Sequence, residues 1–288
     1  MIGSFTYWQS RYNDAIITSE ITPVAGNTGI ASQANDKLLP FSFNPGFKIG
    51  VGTNLDKLGW SPMIMWTYMH SSPSKKWTSG SHNLLADLML SSAPGNTLLS
   101  NNVQAKWNLN FNAIDIEFGK ETPVSSYFMT RMFGSIKLAS ISNKLNVTYK
   151  NIVDAKANNW ADESYKATNQ SWLVGPRGGT NIYFGLAKDF GFMATTATYV
   201  YACMLNPEVT KSIATPLGTP IGSIEKTKDT NIGAGFDLYL GLNWGHCFKN
   251  KGYMNVSAGY EFQYYGAVIS EVLPLSFNGL NASVVFEF

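Results

Sequence analysis

The sequence predicts an all-β fold, a transmembrane antiparallel up-and-down β-barrel of about ten strands within a range of roughly eight to twelve. Three observations predict it. First, long segments alternate strictly between apolar and polar residues. In 231–265, Phe236, Leu238, Leu240, Leu242 and Trp244 share one parity, and Asp237, Tyr239, Gly241 and Asn243 the other. After a polar turn the alternation restarts, with Met254, Val256, Ala258, Tyr260, Phe262 and Tyr264 opposing Asn255, Ser257, Gly259, Glu261 and Gln263. Period two on both sides of a short turn is a hairpin with one apolar and one polar face. Its limbs exceed the usual strand of about 5–6 residues and reach the roughly 9–11 that a tilted strand needs to cross a bilayer. Second, charged residues make up 14% of the chain and aromatics also 14%, against about 25% charge in soluble domains. Third, short turns alternate with long connections, the asymmetry of barrels with periplasmic turns and extracellular loops.

The other elements follow in order. Ser4–Ile16 has aromatics on both parities, so its facing is ambiguous, and a polar loop is expected over Thr18–Lys37. Phe47, Ile49 and Val51 then alternate with Lys48, Gly50 and Gly52, and the turn Asp56–Gly59 leads to WSPMIMWTYMH. A long loop spans 71–102; within it Leu84, Leu85, Leu88 and Met89 share one helical face behind Ser81, a suitable N-cap, so a short helix is expected. The fourth strand carries Trp107, Leu109 and Phe111, then shifts phase to Ile114, Ile116 and Phe118. Such a slip predicts a β-bulge near Asn112–Ala113, which would turn Asn108, Asn110, Asp115 and Glu117 inward together. The fifth strand sets Ile136 and Leu138 against Arg131, Ser135 and Lys137 and continues through Tyr149, beyond the membrane. In the sixth, Pro176 and neighbouring glycines predict a bulge or bend. The turn Lys188–Gly191, the strand FMATTATYVYACM, a loop over Asn206–Asp229, the 231–265 hairpin and LNASVVFEF complete one domain over residues 1–288. An even strand count brings both termini to the periplasmic side, where the first and last strands can close the sheet. Met1-Ile2-Gly3 runs straight into a strand, so an exported chain is expected to be a mature form whose leader has been removed.

On the assigned parities Lys48, Arg131, Lys137 and Arg177 face the lumen against Asp115, Glu117, Asp237, Glu261 and Glu287. Charges inside a lipid-walled tube need water or partners. Asp115 and Arg131 are expected to lie level and pair. Asp237 and Glu261 are also expected to be level, and two facing carboxylates repel unless Arg131, Lys137 or Arg177 reaches them.

The blocks NPGFKIGVGTNLDKLGW, KWNLNFNAIDIEFGKE, FGSIKLASI, VGPRGGTN and SAGYEFQYY resemble the Legionella-type major outer-membrane protein family of pore-forming barrels, also found in chlamydia relatives. The final Phe288 is similar to the aromatic C-terminus read by the outer-membrane assembly machinery. The resemblance implies a porin in the outer membrane and carries over no catalytic residue. With about ten strands, between the side-chain-filled lumen of eight and the aqueous channel of sixteen, a narrow, partly obstructed pore for small hydrophilic solutes or ions is expected. The alternative is a plugged structural barrel or adhesin.

Other functions find little support. His70, His82 and His246 show no metal-ligand spacing, and no helix follows GVGTNL to make a phosphate loop. Neither a catalytic constellation, a metal nor a cofactor is expected. The net charge of +2 argues against nucleic acid as a partner, leaving membrane lipid, small solutes and a possible homo-oligomer. Cys203 and Cys247 sit at opposite ends of their expected strands, about 40 Å apart in height, too far for the ~7 Å Cα separation of a disulfide. A soluble β-sandwich would bury the apolar parity instead, but the segment lengths and aromatic content oppose it.

Overall fold

A computed structural model describes residues 1–12, 16–23, 32–55, 59–80, 84–85, 98–154, 160–214, 221–226, 228–248, 252–266 and 274–287. Ten long strands form the barrel: β1 (Ile2–Tyr12), β2 (Phe43–Gly52), β3 (Trp60–Ser71), β4 (Asn102–Pro123), β5 (Phe128–Asp154), β6 (Trp160–Gly185), β7 (Phe190–Ala214), β8 (Asp229–Phe248), β9 (Gly252–Tyr265) and β10 (Leu275–Glu287). Each strand pairs antiparallel with the next. β1 also pairs with β10 from Ile2↔Val285 to Tyr12↔Leu275, so the sheet closes and leaves no edge along the barrel.

Above the barrel wall, segments expected to be loops are paired strands. Ile16–Pro23 pairs with Ser32–Leu38, Ser74–Thr78 with the start of β4, and Ile221–Lys226 with the end of β7. Their Ser, Thr and Asn content hid them, because ladder hydrogen bonds satisfy any backbone whatever the side chains. Of the helix expected behind Ser81, only Leu84–Leu85 is described, and it forms a short strand against Leu99–Ser100. Ser81, Leu88 and Met89 lie outside the described residues.

The side-chain pattern divides the barrel into two zones. In the lower zone Ile49, Ile64, Ile116, Ile136, Phe192, Leu240 and Leu280 point outward and are exposed, as lipid contact requires. In the upper zone the apolar residues point inward. Val103, Leu109, Phe111, Ile141, Val147, Tyr149, Leu275 and Phe277 form one buried cluster, while Gln104, Lys106, Ser142 and Asn146 face out. Above the membrane the barrel is therefore built like a water-soluble β protein. Tyr149, in this zone, donates to the Ile17 carbonyl (3.0 Å), and burial, with Glu163 nearby, pushes its phenol above the ordinary tyrosine range. It stays protonated and can hold that bond at any physiological pH.

This division corrects the expected bulge. The β4–β5 register runs unbroken through Asn112↔Ser140 and Ala113↔Ala139, and burial alternates without a slip along β4. Trp107, Leu109 and Phe111 face in; Asn108 and Asn110, expected inside, face out. The strand passes from lipid into water, so the preferred side for apolar residues changes while the backbone parity does not. β6 likewise has no bulge. Its register to β7 is the same before and after Gly175–Pro176, where two pairings drop out of the ladder, as a residue without an N–H dictates.

The boundary between the zones can be checked directly. Leu240→Arg, on the lipid face, is expected to lower stability in vesicles by about 2–4 kcal/mol. Asn110→Arg, on the same outward side but above the band, is expected to change it by less than about 0.5 kcal/mol. Denaturant titration of both variants in the same lipid measures the difference.

Candidate functional site

Midway down the lumen, at the foot of the apolar cluster, the inward parity places four cations and four anions at one level. Eight of the nine charged residues assigned to the lumen from sequence (Lys48, Asp115, Glu117, Arg131, Lys137, Arg177, Asp237 and Glu261) point into the barrel at this layer. Alternation alone puts them there, because each sits on the parity opposite a lipid-facing residue such as Ile49, Ile116, Ile136 or Leu238.

They join in one chain of contacts. Arg131 pairs with Glu117 and donates from Nε to the Ser61 hydroxyl (2.8 Å) and from Nη2 to the Ser61 carbonyl (3.0 Å). Arg177 donates from Nη1 to the other Glu117 oxygen (3.1 Å) and from Nε to Asp237 (3.0 Å). Lys137 lies 3.5 Å from Asp237 and 3.8 Å from Asp115 and donates to the Tyr265 hydroxyl (3.0 Å). That hydroxyl donates on to Gln263 (3.1 Å), whose amide donates to Glu261 (2.9 Å). Glu261 also accepts from Asn281 (2.6 Å) and pairs with Lys48. Trp8 lies under the Lys48 ammonium at 5.0 Å, and Tyr199 donates to Asp237 (3.2 Å). Every barrel strand thus contributes a group to the layer, and its formal charges cancel. Low exposure makes this cancellation necessary, since an unpaired charge there would cost several kcal/mol.

Two expected pairings are corrected. Arg131 pairs with Glu117, not Asp115; Asp115 stands directly opposite Lys137, and Arg131 opposite Glu121. Asp237 stands opposite Gln263 and Glu261 opposite Tyr239, so the two carboxylates are offset by two residues instead of level. Arg177 and Lys137 do reach Asp237, whereas Glu261 is held by Lys48. Asp115 is the loosest member. Its Oδ1 has no hydrogen-bond partner among the described residues. Gly119 is fixed by this layer, because the Arg131 guanidinium occupies the space any Cβ there would need.

An aromatic tier lies on top of the layer. Phe111 packs on Phe277 (4.7 Å between ring centroids) and on Tyr265 (5.4 Å), and Trp8 stacks on Phe277 (5.7 Å). Tyr199 meets Tyr265 at 5.4 Å and lies over Gly235, where a side chain would collide with it. The sequence reading missed this tier, although its signal was present. Tyr265 continues the inward parity of Glu261 and Gln263, and Tyr199 and Tyr201 share that of Ala197 and Cys203. Below the layer a cavity of about 930 Å³ opens at the turn end. Thr53, Asn54, Glu121 and Tyr253 line its mouth, and Asp115, Lys137 and Asp237 lie at its inner end. The lumen is thus a vestibule, an ionic layer and an apolar core in series. Glu287, also assigned inward, lines the mouth.

The remaining candidates stand apart. His70 meets Asn110 Oδ1 through Nδ1 (2.8 Å) on the outer surface, and His246 stacks on Trp244 (5.7 Å) at the turn end. His82 lies outside the described residues. Among the described residues no cluster of His, Cys, Asp and Glu could hold a metal. Cys203 is a buried free thiol and Cys247 an exposed one.

Known structures with a similar course include the outer membrane protease OmpT of Escherichia coli, at 12% identity and a TM-score of 0.44, covering 100% of this chain and 96% of that one. The toluene transporter TodX of Pseudomonas putida matches at 9% identity and a TM-score of 0.25, covering 99% and 88%. These likenesses are too distant to bear on activity. No curated protein matches the sequence. The family model described as Legionella pneumophila major outer membrane protein precursor matches residues 2–283, nearly the whole of a closed ten-stranded barrel with a lipid-facing band; the chain belongs to that family, and it is a β-barrel of the outer membrane.

Proposed function

We propose that the barrel is a porin-like pore of small conductance, passing small ions and small hydrophilic solutes, and that the arrangement described is its closed state. The observation that carries this proposal is the ionic layer at the inner end of an open vestibule. A lumen closed only for strength could be filled with apolar side chains, which bury without a desolvation penalty. Here Lys137 and Arg177 share the Asp237 carboxylate, and Arg131 and Arg177 share Glu117. Shared acceptors let pairs exchange at little cost when a hydrated ion enters. Glu121 and Glu287 meet an entering cation at the mouth, Asp115, with one oxygen unpartnered among the described residues, offers it an acceptor at the layer, and the mixed signs favour weak selectivity.

A second reading, a structural barrel of the cell surface with little transport, is favoured by the apolar core above the layer. Leu109, Phe111, Ile141 and Phe277 are completely buried there. Planar-bilayer recording of the folded protein separates the two. Short, small, weakly selective openings are expected, along with exclusion of oligosaccharides from reconstituted vesicles. Silent bilayers containing protein of native heat-shifted gel mobility would establish the structural barrel instead.

A further inference from the structure

We infer that the outward face of β3–β6 above the lipid band is a binding surface for the phosphorylated sugar headgroup of an outer-leaflet glycolipid. The strand registers arrange this face in rows. The top apolar row is Trp66, Ile114, Leu138 and Val174. Above it come Tyr68, Asn112, Ser140 and Trp172, then His70, Asn110, Ser142 and Gln170. The next row carries Lys144 between Asn108 and Thr168, and the row after it Lys106 and Lys166 on either side of Asn146. Lys76 follows, beside Gln104. At about 3.3 Å per residue and a tilt near 40°, each row rises about 5 Å. The amide and hydroxyl rows therefore begin at the hydrocarbon edge, with Lys144, Lys106 and Lys166 ~15–20 Å above it and Lys76 one row (~5 Å) higher.

This order matches a glycolipid read outward from its acyl chains. Amides, hydroxyls and an aromatic pair meet sugar, and lysines meet phosphate as mobile point charges. Among the described residues, none of Lys76, Lys106, Lys144 and Lys166 has an ion-pair partner. Lysines outside β3–β6 do: Lys37 pairs with Glu20 (2.7 Å), and Lys226, two strands further along the same row, pairs with Glu208 (3.3 Å), which stands opposite Thr168. On the outward parity of β4 to β6 the first carboxylate above the band is Asp162, which accepts the Asn151 N–H (2.9 Å). A strip of four unpaired cations in neighbouring positions repels itself, and an anionic partner relieves that repulsion. The surface commits to a membrane-anchored headgroup because it is continuous with the lipid band, which a soluble phosphate would not need.

The test uses the whole folded chain in detergent. It is mixed with vesicles of phosphatidylcholine carrying either an acylated diglucosamine extended by a phosphorylated oligosaccharide or phosphatidylglycerol, and bound lipid phosphorus is measured after repurification. The unaltered chain is expected to retain the diglucosamine lipid, and a tenfold excess of inorganic phosphate is expected not to displace it. The Lys106→Gln/Lys144→Gln/Lys166→Gln variant is expected to retain at least about tenfold less, and Lys37→Gln/Lys226→Gln to retain as much as the parent. Equal retention by the triple variant, equal uptake of phosphatidylglycerol, or displacement by inorganic phosphate would each overturn the inference. Should the triple variant not fold, salt titration of the unaltered chain decides: retention must fall steeply with ionic strength, and a flat profile overturns the proposal.

Discussion

Glu117→Ala is expected to destabilise the barrel by about 3–5 kcal/mol, the cost of removing one partner from a buried ion pair. Among the described residues, Glu117 is the only carboxylate that both Arg131 and Arg177 touch. Without it, Arg131 retains Ser61 and Arg177 retains Asp237, but the layer carries one uncompensated positive charge. The lower end of the range is expected because the vestibule brings water close to the vacated site. Glu117→Gln keeps an acceptor and similar volume while removing the charge, so it is expected to fall between the two. Urea titration of the three proteins in the same vesicles measures the series. If Glu117→Ala and Glu117→Gln are equal, shape and not charge holds the layer. If both match the parent, the layer contributes nothing to stability. On the pore proposal, the excess positive charge also shifts the reversal potential toward anions in any current that remains.

Most of the lower barrel was legible because one rule governs it. In lipid every backbone polar group must be paired within the sheet, and the outward parity must be apolar. Phe236 to Trp244 and Met254 to Tyr264 obey that rule, and the eight lumen charges followed from it. The rule failed where the solvent changed. If Trp107, Leu109 and Phe111 face lipid, Asn108 and Asn110 turn inward, and only a bulge reconciles that parity with Ile114. A one-residue phase slip has two causes, an inserted residue or an unbroken strand passing from lipid into water. The length of β5, 27 residues, was the clue: a strand far longer than a bilayer needs must have an upper part in water. The pairing partners of the charges were less legible, because they depend on the stagger between strands, which alternation does not encode. A turn expected over Gly119–Ser125 sets Arg131 level with Asp115, whereas the ladder continues down to Met129↔Pro123, so the turn comes later in the chain and Arg131 stands opposite Glu121.

Phe111→Ala tests the tier above the layer, where the expected loss is also about 3–5 kcal/mol. Phe111 is fully buried, and its ring packs on Phe277 and Tyr265, neither of which can follow a retreating neighbour without leaving its own strand position. Phe111→Leu fills most of the space and is expected to cost much less. The two tiers share Tyr265: its ring belongs to the aromatic cluster, and its hydroxyl accepts from Lys137 and donates to Gln263. Loosening the aromatic tier therefore frees Tyr265 to move, and with it Lys137. Stability losses in the Glu117→Ala/Phe111→Ala double variant are expected to depart from additivity by about 0.5–3 kcal/mol, as contacting networks do. Bilayer recording carries the same comparison into function. On the pore proposal, openings become more frequent in Phe111→Ala and persist in the double variant, because the ionic layer and the aromatic tier close the lumen in series. Strict additivity in stability together with unchanged currents would mean that the tiers are independent packing layers, and Tyr265 would then connect them only in space.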